Sequence, residues 1–121
     1  MVAAYEGHKD VVQLLIDKGV DVNAESQSYG NALVATSEHG HIEIVILLIK
    51  KGADVNAQGG NYGNALVAAA SKGHKAVVEL LITKRADVNA KSQFCEYALS
   101  AASKGSHTGI VKLLKQKRGH M

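Results

Sequence analysis

Residues 52–57 read Gly-Ala-Asp-Val-Asn-Ala, and the last four of them decide the fold because they recur. Asp-Val-Asn-Ala begins at Asp21, Asp54 and Asp87, 33 residues apart each time. Working outward, Gly7-His8, Gly40-His41 and Gly73-His74 keep the same interval. So does Tyr-Gly-Asn-Ala-Leu-Val-Ala, at 29–35 and 62–68. Three independent markers on one period identify an internal repeat. A repeat of this length means small units that bury their apolar faces only by stacking on one another.

Each unit reads as two short helices and a turn. Asn64 is a favourable helix N-cap, and Ala65 to Lys72 that follow form an Ala-rich helix whose small face admits a close neighbour. Gly73-His74 breaks the chain, and Val77, Val78, Leu80, Leu81 and Ile82 form the stripe of a second helix. Val11, Val12, Leu14, Leu15, Ile16 and Ile44, Val45, Leu47, Leu48, Ile49 are its equivalents. Gly19 and Gly52 stand where the second helix ends, as a left-handed C-terminal cap requires. The polar Gly/Asn-rich stretch 53–63 suits a protruding turn. The units are 1–24, 25–57, 58–90 and 91–121, all in one domain. The first starts inside its first helix, so the chain is expected to be a piece of a longer array or to dock by that end.

The 33-residue period, the Ala-rich first helix, Gly-His, the Val-x-x-Leu-Leu second helix and Gly-Ala-Asp-Val-Asn-Ala together resemble the ankyrin repeat over essentially the whole chain. The resemblance implies an all-α solenoid of stacked helix-turn-helix units with protruding turn or β-hairpin loops, acting as a binding module and not as an enzyme. Tyr-Gly-Asn-Ala-Leu and Gln58-Gly59-Gly60 look like a variant common in fungal proteins, where such arrays often follow a nucleotide-binding signalling domain. Departures are visible. Asn-Ala-Leu-Val stands at 31–34 and 64–67 where the family has Thr-Pro-Leu-His, so the proline of the first helical turn is gone. Arg85 replaces the glycine of positions 19 and 52, a strained choice if the backbone keeps a positive φ there. The last unit reads as degenerate. Gly105-Ser106-His107 looks like a Gly-His pair with one residue inserted, and Cys95-Glu96-Tyr97 lacks the earlier Gly-Asn.

Composition fits a soluble globular chain of 121 residues: 46% hydrophobic, 21% charged and only 4% aromatic, so stability rests on many small contacts. One cysteine, Cys95, cannot form an internal disulfide, and no apolar run approaches a membrane span. Without a signal-like N-terminus the expected location is cytoplasmic.

The search for chemistry finds none. His8, His41, His74 and His107 each hold the Gly-His position, one solenoid step apart and too far to share a metal ion. Their expected task is to satisfy backbone groups at the turn between helices, while His39 beside them is expected to be exposed. Asp21, Asp54 and Asp87 are periodic, which points to turn stabilisation and not to acid/base work. Gly59-Gly60 and Gly63 lack the Lys-Ser/Thr of a phosphate loop. No catalytic residue, metal or cofactor is expected.

Binding is expected where units diverge while the stack holds them rigid: at turn tips and at the ends of first helices. The candidate partner-contacting residues are Glu25, Gln27 and Ser28, then Gln58, Gly60 and Asn61, then Lys91, Gln93 and Phe94 at the tips. Glu38 and His39, and Ser71 and Lys72, supply the helix ends. The implied partner is a protein, with neither membrane nor nucleic acid indicated by a net charge of +3. Lys plus Arg minus Asp plus Glu runs −2, −2, +2 and +5 along the four units. This gradient supports an alternative reading, a structural or self-assembling segment that associates through an acidic N-terminal and a basic C-terminal end.

Overall fold

The computed structural model describes residues 30–57, 63–88 and 97–118, with Gln13, Asp17, Glu25 and Ser26. Two short strands, β1 (Glu25–Ser26) and β2 (Gly30–Asn31), pair antiparallel with Glu25 opposite Asn31. They lie immediately before the first helical pair. Three helical pairs follow: α1 (Ala32–Glu38) with α2 (Ile42–Lys50), α3 (Ala65–Lys72) with α4 (Lys75–Thr83), and α5 (Ala98–Lys104) with α6 (Thr108–Arg118).

The inner helices α1, α3 and α5 stack on one another, and each also packs on its own outer helix. Contact between successive outer helices is much sparser. Side-chain size explains the difference. Ala68, Ala69 and Ala70 of α3 are fully buried, and methyl groups let backbones approach closely. The outer helices turn only one stripe inward: Val45 and Leu48, Val78 and Leu81, Ile110 and Leu114. With the inner-helix residues Leu33, Val34, Leu66 and Val67 these stripes form one continuous core.

Local signals set the ends of α3. Asn64 is extended (φ −151°, ψ 169°), and its side-chain oxygen accepts from the backbone N–H of Val67 at 2.8 Å. At the far end Gly73 turns left-handed (φ 78°), and the N–H of His74 returns to the carbonyl of Ala69 at 2.9 Å. The same bond runs from His41 to Thr36 (3.0 Å) and from His107 to Ala102 (3.0 Å). All three are one period apart.

That register corrects the expected insertion in the last unit. His107 lies 33 residues beyond His74, and Ser106 adopts the left-handed conformation (φ 59°) of Gly40 and Gly73. Nothing is inserted; serine has replaced the glycine, and Gly105 stands at the register of Lys72. The opening without Gly-Asn is held differently. Tyr97 occupies the Asn64 position, and the Ser100 hydroxyl accepts from its N–H (3.2 Å) and donates to its carbonyl (2.9 Å). Ser100, in the first turn, thereby bonds back to the N-cap residue's own N–H, the reciprocal half of a capping box and not the bond that Asn64 makes to Val67.

Outer helices end in the same manner. Ala53 donates to Leu48 and Ala86 to Leu81, both at 2.9 Å, around Gly52 (φ 102°) and Arg85 (φ 73°). Arg85 therefore does hold the positive φ that makes it a strained replacement for glycine.

Candidate binding surface

The elbow between inner and outer helix is where successive units interlock. His74 sends its ring back to the preceding unit, where Nε2 lies 3.0 Å from the carbonyl oxygen of Glu38. His107 repeats this on the carbonyl of Ser71, also at 3.0 Å. Carbonyls in the last turn of a helix lack intrahelical partners, and the following unit's imidazole supplies one. Each ring lies against the preceding glycine. A Cβ on Gly40 would fall 2.7 Å from Nδ1 of His74, and one on Gly73 would fall 2.6 Å from Cε1 of His107. Glycine is required here twice over, by its left-handed backbone and by lack of room. For His74 and His107 the expected structural task is thus what the geometry shows, while His8 lies outside the described residues.

The turn after each outer helix carries a second link. The Asp54 carboxylate accepts from the N–H of Asn56 at 2.9 Å, a local turn bond of the kind expected for the periodic aspartates. Asn56 then reaches forward: its amide oxygen accepts from the N–H of Asp87 (2.9 Å), and its amide nitrogen donates to the carbonyl of Arg85 (3.4 Å).

Against this frame the candidate contact residues divide into two groups. Glu38 and His39, Ser71 and Lys72 sit at equivalent ends of α1 and α3, one step apart. Their backbones are held by the histidine bonds, yet their side chains differ. His39 is not exposed as expected. Its side chain is only 34% accessible, with Nε2 3.2 Å from Oε2 of Glu38 and its ring stacked on His41 at 6.1 Å. The Glu38 carboxylate is more covered still, at 13%. Ser71 is half-buried and Lys72 exposed. Of Glu25 only the backbone is described, at the hairpin base. Gln27, Ser28, Gln58, Gly60, Asn61, Lys91, Gln93 and Phe94 lie outside the described residues.

Two surface features escaped the sequence reading. Lys104 and Gly105 complete the row begun by Glu38-His39 and Ser71-Lys72, and the apparent insertion hid their register. Ile46 is exposed (47%) on the outer face of α2, at a position filled elsewhere by Gln13, Glu79 and Lys112. An apolar residue in a register otherwise polar was the available signal. Among the described residues no group of three or more His, Cys, Asp or Glu is placed to hold a metal ion, and no helix is long and apolar enough to cross a membrane.

Comparison with known families agrees with this architecture. The family model described as ankyrin repeats (3 copies) matches residues 1–92, about three quarters of the chain. The chain belongs to the ankyrin-repeat family. No curated protein matches it. Ankyrin repeats are in general protein–protein interaction modules. The α5–α6 pair lies beyond the matched residues, yet it has the ankyrin elbow, with a histidine, a left-handed residue before it and the same backbone bond.

Proposed function

We propose that this ankyrin array is a protein-binding module that recognises a folded partner along the row of inner-helix ends and the turn tips beside it. One observation carries the reading. The ends of α1 and α3 are held by equivalent histidine bonds from the next unit, while their side chains change from Glu38-His39 to Ser71-Lys72. A scaffold that repeats and a surface that does not are the two requirements of modular recognition. Close packing of the inner helices and sparse packing of the outer ones bends such a stack toward its inner side, which favours a concave contact face. Glu25, Gln27, Ser28, Gln58, Gly60, Asn61, Lys91, Gln93 and Phe94 extend the proposed surface through the tips, and Lys104 joins it at the end of α5. The Tyr-Gly-Asn-Ala-Leu resemblance supports placing the module as the sensor or scaffold part of a larger cytoplasmic signalling protein.

The test compares two baits in lysate of the source organism, analysed by mass spectrometry. One is the unaltered chain; the other carries His39→Ala, Lys72→Ala, Asn61→Ala and Phe94→Ala, and must first show an unchanged unfolding midpoint. A protein retained by the first and lost by the second supports the surface. Equal recovery by both baits rejects it.

A further inference from the structure

Ser106 occupies the register of Gly40 and Gly73 and keeps their left-handed backbone, but it carries the Cβ that those positions have no room for. In both interior elbows the following unit's histidine lies over the glycine, held by its bond to the carbonyl of Glu38 or Ser71. A Cβ would come within 2.7 Å of one ring and 2.6 Å of the other. To make room the ring would have to swing away and abandon that bond. We infer that the open face of the α5–α6 pair is built to refuse a further Gly-His unit in the interior register, whether a following stretch of chain or a second copy offers it, and that Ser106 is the stop.

The rest of that face agrees. Ser103, Val111 and Lys115 stand at the register of Ala70, Val78 and Ile82. Ala70 and Val78 are fully buried, and Ile82 packs against the core. An added unit would have to cover a serine and a lysine where the interior covers alanine and isoleucine, and a buried lysine without a partner is strongly disfavoured. An open cavity of about 750 Å³ lies on this face, lined by Ser103, Ser106, Thr108, Val111, Lys112 and Lys115 among others. The opposite charges of residues 1–24 and 91–121 attract at long range, but docking in register is a matter of contact. In a head-to-tail pair the ring that register brings over Ser106 is that of His8.

The stop can be moved inward. In the full chain, Gly73→Ser places the same side chain beneath His107, and Gly52→Ser is the control, because Gly52 shares a positive φ (102°) but has nothing within 4 Å of its Cβ position. Amide hydrogen exchange is read over residues 98–118. Gly73→Ser is expected to lower protection there at least about tenfold more than Gly52→Ser does anywhere. If the two variants behave alike, the crowding is ineffective and the inference fails. Should Gly73→Ser unfold the whole chain, Gly73→Ser/His107→Ala decides: recovery of protection over 32–83 supports the stop, and no recovery overturns it. Sedimentation of the unaltered chain supplies an independent arm. A monomer at all concentrations is expected, and oligomers that His8→Ala abolishes would overturn the inference.

Discussion

Two seams join successive units, and they are built in opposite ways. At the elbow, the later unit's histidine reaches back to the earlier unit's backbone, half-buried and pressed against a glycine. At the outer turn, the earlier unit's Asn56 reaches forward to the later unit's backbone, exposed to water and with open space around Gly52. Both seams contain a left-handed residue, yet only the elbow insists on glycine between stacked units. The outer turn accepts Arg85, and the elbow accepts Ser106 only where no described unit follows. A positive φ alone therefore does not explain the recurring glycine at the elbow; close approach of the neighbour does.

Adding one methyl group to each seam should break this equivalence most visibly. Gly40→Ala adds left-handed strain and displaces the His74 ring, and should destabilise the chain by about 2–3 kcal/mol. Gly52→Ala meets only the strain, about 1 kcal/mol. Urea unfolding midpoints measure both. Equal losses would mean that the histidine ring gives way freely, and the distinction between the seams would dissolve.

Removing the ring sharpens the same comparison from the other side. His74→Ala leaves the Glu38 carbonyl without its partner and should cost about 1–2 kcal/mol. It also empties the space that Gly40 protects. The double variant Gly40→Ala/His74→Ala should therefore lose less than the two single losses added together, because the collision is counted once in the first and is absent from the pair. Strict additivity in a double-mutant cycle would show that ring and glycine do not interact.

Much of the fold was legible because its signals are local and periodic. Helix α3 runs from Ala65 to Lys72 as expected, since Asn64 and Gly73 mark its ends within the segment itself. The turn role of Asp54 was legible for the same reason, its bond spanning two residues. The second task of Asn56 was not, because its partners Arg85 and Asp87 lie in the next unit and depend on stacking. Ser106 shows how a local rule misleads. Glycine is the default left-handed residue, so Gly105 drew the elbow one place too early, whereas the 33-residue register and the backbone bond to Ala102 put it at Ser106. The same slip set Lys104 against Lys72, whereas the true register sets it against Ser71. Divergence between units identified Glu38 and His39 as candidate contacts, but nothing in the sequence shows that their side chains lie against each other and are largely covered.

Relief of strain at the outer turn comes next in size. Arg85 is exposed and left-handed, and it stands where the preceding unit has Gly52. Arg85→Gly should raise the unfolding midpoint by the equivalent of up to about 1 kcal/mol, part of the gain being offset by glycine's greater freedom in the unfolded chain. A lower midpoint would mean that the arginine side chain contributes more than its backbone costs, and that the turn is less permissive than its open surroundings imply.

The smallest effect expected is at Asn56, and its smallness is the point. Asn56→Ala removes both of the bonds that this side chain makes to the next unit. If the number of bonds set the strength of a seam, this variant would match or exceed His74→Ala. Exposure argues otherwise, since water can replace the lost partner at the N–H of Asp87 and the carbonyl of Arg85, leaving a loss of about 0.5 kcal/mol. The two variants measured side by side by urea unfolding separate these accounts. A ratio near one would assign equal weight to the seams and make the turn a structural partner of the elbow. A several-fold smaller loss at Asn56 would make the elbow the stronger of the two polar seams that supplement the stacked core, leaving the turns free to vary as a recognition surface must.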